Sequence, residues 1–217
     1  MDIAVCVPTC NELRANRTTR LWNAAGYSVC LWVEPKLAHI KADLVHVASE
    51  YPGWFVACNK LAAMAVDNGA DVVVLCGDDI DPDPRHTAKE AAAIYMARFP
   101  NKLGLMQPTG DSPTNAGEWC GSPWLGSAWV QRAYMGHGST WPGYYHFWGD
   151  WELECVAKRL ELLWKTSQLS QYHHHPAVGR APRQTYQALH EGSWFDRDHK
   201  LFSQRKANNF PGSGLRL

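Results

Sequence analysis

Four aspartates, Asp78, Asp79, Asp81 and Asp83, fall within six residues. Like charges crowded this closely repel one another unless a cation neutralises them. Carboxylates are hard oxygen donors suited to Mg2+ or Mn2+, which in turn hold phosphate oxygens. A plain acidic turn capping the next helix would use the same residue types. The histidines His173, His174 and His175 are a second group with ligand chemistry, because imidazole completes mixed carboxylate and histidine metal sites. On an extended segment adjacent side chains point to opposite sides, so at most two of the three share a face. His190 competes with them for that part.

A third group is aromatic. Between Glu118 and Trp151 lie ten aromatic residues, among them Trp119, Trp124, Trp148 and Trp151. Such a stretch can line a pocket that stacks on sugar rings or bases. Aromatics at helical spacing, as from Trp124 to Tyr134, are more often core. Asp150, Glu152 and Glu154 close this stretch. Asp150 stands where a helix N-cap belongs, and the two glutamates lie in a first turn, where the helix dipole favours carboxylates.

These groups need a scaffold. Asp71 to Gly77 reads Asp-Val-Val-Val-Leu-Cys-Gly, the composition of a buried strand. Such a strand delivers the aspartates after it to the ligand edge of an α/β sheet. Strands are also predicted over Asp2–Val7, Tyr27–Val33, Leu44–Val47 and Leu103–Met106. Helices are predicted from the Thr9–Glu12 turn to about Ala25, over Trp54–Asn68, and from Pro84 to about Phe99. Gly26 and Gly69 are the expected stops of the first two. Leu153, Val156, Leu160, Leu163 and Trp164 share one face of a further helix. The charged run from Asp196 to Lys206 reads as helical, with Leu201 and Phe202 docking it. Its Arg205 and Lys206 are either solvated or close on a diphosphate, and the residues after it read as loose. Strand and helix alternating in units of about 30 residues argue for parallel βαβ structure.

Composition sets outer bounds. The chain has 217 residues, 46% hydrophobic and 19% charged, with formal net charge zero, as expected of a packed globular domain. From Arg180 onward there are seven Lys/Arg against three Asp/Glu, a bias too weak to indicate nucleic acid. The cysteines number seven, an odd count, and no Cys-x-x-Cys pair occurs, so a reducing compartment is expected. No signal peptide is apparent and no apolar run approaches the ~20 residues of a membrane helix. The expectation is a soluble, cytoplasmic protein.

Several segments, in order, resemble one family. Pro8-Thr9-Cys10-Asn11-Glu12 closing a first strand resembles the Pro-Thr-x-Asn-Glu opening of family-2-type GT-A glycosyltransferases. Asn59 on the helix ahead of the acidic strand resembles their Arg-Asn-x-Gly segment, from which Lys60 and Leu61 depart in detail. Gly77-Asp78-Asp79-Ile80-Asp81 resembles their DxD element: Asp79-Ile80-Asp81 is a literal DxD, whereas alignment from the strand makes Asp78 or Asp79 the ligand. Gly121-Ser122-Pro123 resembles the family's glycine-containing turn, and Gly149-Asp150-Trp151-Glu152-Leu153 its Glu-Asp-x-Asp-Leu segment.

The resemblance implies a GT-A (Rossmann-like) α/β fold, a mainly parallel sheet flanked by helices. It implies a domain over 1–179, with a nucleotide-sugar half (1–107), an acceptor half (108–179) and a basic extension (180–217). It implies metal-dependent, inverting transfer from a nucleotide-diphosphate sugar to an acceptor hydroxyl. Mn2+ or Mg2+ would be held by Asp79, Asp81 and a histidine of the 173–175 run. Pro8, Thr9, Asn11, Glu12, Glu34, Asn59, Lys60, Asp78 and Asp79 would bind the donor, and Trp119, Trp124, Trp148 and Trp151 the acceptor, a nucleic acid not excluded. Asp150 would be the base and Glu152 the second acid. A nucleotidyltransferase or sugar-nucleotide hydrolase on the same scaffold, or a metal- or carbohydrate-binding module without turnover, are the alternatives.

Overall fold

The computed structural model describes residues 1–110, 119–174 and 193–216. In chain order the elements are β1 (Ile3–Pro8), α1 (Glu12–Ala24), β2 (Ser28–Val33), β3 (Leu44–Val47), α2 (Trp54–Asp67), β4 (Val72–Leu75), β5 (Ile80–Asp81), α3 (Ala88–Arg98) and β6 (Leu105–Thr109). There follow β7 (Trp124–Gly126), α4 (Ser127–Arg132), α5 (Gly149–Arg159), β8 (Leu163–Ser170), β9 (Tyr172–His173) and α6 (Trp194–Ala207). Seven strands form one sheet in the order β3-β2-β1-β4-β7-β6-β8. All neighbours are parallel except β7, which runs antiparallel to both β4 and β6. β5 and β9 pair separately.

β1 and β4 are buried along their whole length, which is why they read as unbroken apolar runs. One face is covered by α1 and α3 through Ala15, Trp22, Ala91 and Tyr95. The other is covered by α2, α4, α5 and α6 through Phe55, Leu61, Trp129, Leu153 and Phe202. This is the Rossmann-like, mainly parallel α/β architecture predicted from the sequence. Strand order reverses between β1 and β4, and in such sheets the crevice beyond the strand ends at that reversal is the ligand edge.

Three predicted elements differ. α3 starts four residues past Pro84, at Ala88, because Thr87 and Glu90 form a reciprocal capping box there. The aromatic run from Trp124 is strand first and short helix second, and it ends in a left-handed turn at Tyr134 and Met135. α5 stops at Arg159; Leu163 and Trp164, which fit its apolar face in sequence, belong to β8 beyond a left-handed Glu161.

α5 also begins earlier than predicted. Its N-cap is Trp148 in a left-handed conformation (φ 68°), and Asp150 lies inside the first turn. Gly149 permits this close start, since a Cβ there would lie 2.5 Å from the Phe55 ring of α2. Residues 208–216 are not loose. Phe210 is buried, the Met135 amide donates to the Gly214 carbonyl, and the Arg216 amide donates to the Arg132 carbonyl. The predicted boundary at 179/180 lies outside the described residues.

Candidate active site

The acidic turn after β4 is moulded by α1. Thr18 Oγ1 donates to the Asp78 carbonyl at 2.9 Å and Trp22 Nε1 to the Ile80 carbonyl at 3.0 Å. Arg14 Nη1 lies 3.5 Å from Asp78 Oδ1, and Arg17 grips Asp81 through both guanidinium ends at 2.7 and 2.6 Å. These four α1 residues stand on one helix face by their spacing. That spacing was available in the sequence; the partner they face was not.

The four aspartates therefore do different things. Asp83 is buried and accepts from Arg85, from the Ser170 amide and from its own turn. Burial opposes its charge, but these hydrogen bonds hold its carboxyl far below the usual range. Asp81 is likewise pushed up by burial and pulled down by more, through Arg17 and His174, whose Nε2 lies 2.8 Å from Oδ2. The literal DxD reading needed Asp81 as a ligand, and in this conformation its oxygens are taken by Arg17 and His174.

Asp78 and Asp79 remain at the crevice. Thr9, just past β1, donates its hydroxyl to Asp78 Oδ2 at 2.7 Å, so the reversal point between β1 and β4 is bridged side chain to side chain. Burial raises the Asp78 pKa, and neighbouring Asp79 adds to it against the help of Thr9 and Arg14. A raised carboxyl favours the protonated folded state, so this group's contribution to stability is lost as pH rises through its folded pKa. Asp78→Asn keeps an acceptor for Thr9 and removes the charge. It will raise the neutral-pH melting temperature, and the gain will shrink at pH 4, as checked by calorimetry at both pH values.

Asp79 is 8% exposed, and His173 Nε2 stands 3.5 Å from its Oδ2. Gly77 leaves room for that carboxylate, since a Cβ there would lie 2.5 Å from Asp79 Oδ1. Among the described residues no cluster of three or more His, Cys, Asp or Glu is arranged to hold a metal. One carboxylate and one imidazole do fit a cation that takes its remaining ligands from water and substrate phosphates, as Mg2+ does. Two cis ligands at about 2.1 Å from one octahedral ion sit about 3 Å apart, so the pair would close by about 0.5 Å to share it. His174 points to the other side, onto Asp81, as alternation requires. His175 and His190 lie outside the described residues.

The other predicted donor residues are scattered. Pro8 is buried at the end of β1. Asn11 is the N-cap of α1, accepting from the Arg14 amide at 3.0 Å. Glu12 pairs with His39, and Glu34, past β2, with Lys36. Asn59 faces away from the turn: its carboxamide accepts from Ser139 and Thr140 and donates to the Thr140 carbonyl. Lys60 is exposed and lies near enough to His46 to add to the burial that lowers the imidazole's pKa. No described contact links Asn59 or Lys60 to the acidic turn.

On the acceptor side the predicted acids separate. Glu152 is 0% exposed and bound by Arg205 at 2.7 and 2.8 Å and by the Tyr144 hydroxyl at 2.7 Å. Arg205 in turn lies 3.6 Å over the Trp141 ring. Glu152 is thus a structural anion, and Arg205 is neither solvated nor available to a diphosphate. Asp150 is half-buried, and its Oδ1 accepts from the Trp151 amide at 3.0 Å. Of the tryptophans, Trp124 is core, with Nε1 on Gln171. Trp148, Trp151 and Trp119 form a chain of ring contacts at the start of α5, and Trp151 is 46% exposed. Trp148 also packs on Phe195, His199 and Phe202 of α6. Sequence reasoning missed Asp198, fully buried on α6, which accepts from the amides of Tyr145, His146 and Phe147 and so fixes the loop leading to Trp148.

Fold and site together describe a Rossmann-like α/β protein with a carboxylate and imidazole pair at its ligand edge. No protein-family model and no curated protein matches the chain. A solved glycosyltransferase involved in the glycosylation of the major capsid of PBCV-1 is similar over 60% of this chain and 62% of its own, with a TM-score of 0.41 and 11% identity. The match thus spans less than two thirds of that protein's chain. No helix among the described residues is long and apolar enough to cross a membrane.

Proposed function

We propose that this chain is an inverting glycosyltransferase that moves a sugar from a nucleotide-diphosphate sugar to an acceptor hydroxyl. The observation that supports it best is the convergence of Thr9, Asp78, Asp79 and His173 at the reversal point of the sheet. Asp79 and His173 would hold Mn2+ or Mg2+, which when bound neutralises charge on a diphosphate. Asp81 is not part of this ligand set. Thr9 and Asp78 would contact the nucleoside, and Glu34, past the end of β2, would do so from outside that cluster. Asp150 would accept the acceptor hydroxyl's proton while that oxygen forms its bond to the anomeric carbon. The bond to the diphosphate oxygen breaks, and its electron pair departs with the nucleoside diphosphate. Trp119, Trp148 and Trp151 would present their rings to the acceptor.

Thermal shift with UDP or GDP tests the donor side. Nucleotide at about a hundred times its Kd stabilises by about 2.7 kcal/mol, a rise of roughly 5–10 °C for a chain of this size. That rise should need Mn2+ or Mg2+, and a mass-spectrometric screen of nucleotide sugars should identify the one consumed. Transfer that survives exhaustive EDTA treatment would sink the cation assignment. Protection without any turnover across the screen would favour a binding module.

A further inference from the structure

β9 is two residues long and, among the described residues, pairs with the two residues of β5. So short a ladder does not hold a strand in place unaided. Other bonds supply the hold. The His174 amide donates to the Asp79 carbonyl at 2.8 Å. Its imidazole Nε2 donates to Asp81 Oδ2 at 2.8 Å, with Arg17 Nη2 alongside as a neighbour and not a hydrogen-bond partner. Arg17 meets Asp81 with two parallel hydrogen bonds, the geometry that fixes direction as well as distance. Arg17 is itself mounted on α1, one residue before Thr18, which holds the Asp78 carbonyl.

Successive side chains of an extended segment face opposite ways. Seating His174 on the Asp81–Arg17 pair therefore turns His173 to the other side of β9, where Asp79 stands. We propose that Arg17, Asp81 and His174 form a clasp whose work is to aim His173 at Asp79. The three are positioning residues for the cation site, and the assignment rests on the reading of Asp79 and His173 as its ligands. The clasp side chains are 37%, 23% and 32% exposed, and ion pairs this open contribute little to global stability. Aim and stability are thus separable by experiment.

Four variants in the full chain test this: Arg17→Met, Arg17→Lys, His174→Gln and Asp79→Asn. Mn2+ is titrated into each without nucleotide, hydrogen exchange is followed over residues 172–174 in metal-free protein, and melting is recorded. Outer partners that orient a metal ligand are typically worth 10- to 100-fold in affinity. Arg17→Met and His174→Gln should each weaken Mn2+ at least about tenfold and speed exchange at the His174 amide, with melting within about 2 °C of the parent. Arg17→Lys, which keeps the charge and loses the paired bonds, should recover part of the affinity. If Asp79→Asn abolishes Mn2+ binding while Arg17→Met and His174→Gln bind like the parent, the clasp is refuted and the cation site stands. If Asp79→Asn binds Mn2+ like the parent, the cation reading falls and takes the clasp with it.

Discussion

Asp150→Asn will cut sugar transfer at least about a hundredfold while leaving donor affinity unchanged. General-base assistance is worth ~10²–10⁴-fold, and Asn cannot take a proton. The structural cost is small because Trp148, not Asp150, caps α5. The hydrogen bond from the Trp151 amide to Oδ1 has an equivalent acceptor in Asn. What Asn does lose is a charge in the first turn, worth about 0.3–1 kcal/mol with the helix dipole, so melting should fall by no more than about 4 °C. Initial rates, a donor titration and a melt on one preparation decide it. A variant that still transfers near the parent rate removes Asp150 as the base. Glu152 cannot inherit the part, since both its oxygens are held by Arg205 and Tyr144.

Arg205→Met will lower the melting temperature by at least about 6 °C. Removing one partner of a buried ion pair costs about 3–5 kcal/mol, because the other charge is left buried and uncompensated. Glu152 has no route to water, being fully buried beneath the same helix. Methionine reaches only about as far as the arginine Nε, so the guanidinium's contact with the Trp141 ring is lost along with the ion pair. The loss should come mainly from the stranded carboxylate, and the triple variant Tyr144→Phe, Glu152→Met, Arg205→Met should regain most of it. Arg205→Met melting within 2 °C of the parent, or a triple variant no better than the single, would refute the anchor.

The sheet was legible for a physical reason. β1, β3 and β4 are short apolar runs between turns, and Gly26 and Gly69 stop α1 and α2 in the positive-φ conformation that glycine tolerates (φ 91° and 96°). The ligand edge followed from the strand that ends in aspartates. What each aspartate does was not legible. Asp81 and Glu152 read like Asp78 and Asp150, yet each is claimed by an arginine 64 or 53 residues away. An ion pair across such a separation has no local signature in composition or period. The same holds for Asn59, whose carboxamide closes on a loop 80 residues further along. The run from Trp124 was misread because a three-residue strand followed by a six-residue helix leaves too few residues for either period to declare itself.

The two buried attachments of α6 also bear on the order in which a newly made chain can finish folding. β1 to β4 and α2 close on one another using residues 3–75. Glu152 waits a further 53 residues for Arg205, and the amide of Tyr145 waits as long for Asp198. At translation speeds of about 5–20 residues per second that delay is roughly 3–10 s. Over that interval the α5 carboxylate has the Tyr144 hydroxyl within reach but not its arginine, while the parallel strands already have all of their own partners. Of the two halves, the α5 half is the one a chaperone or protease meets open.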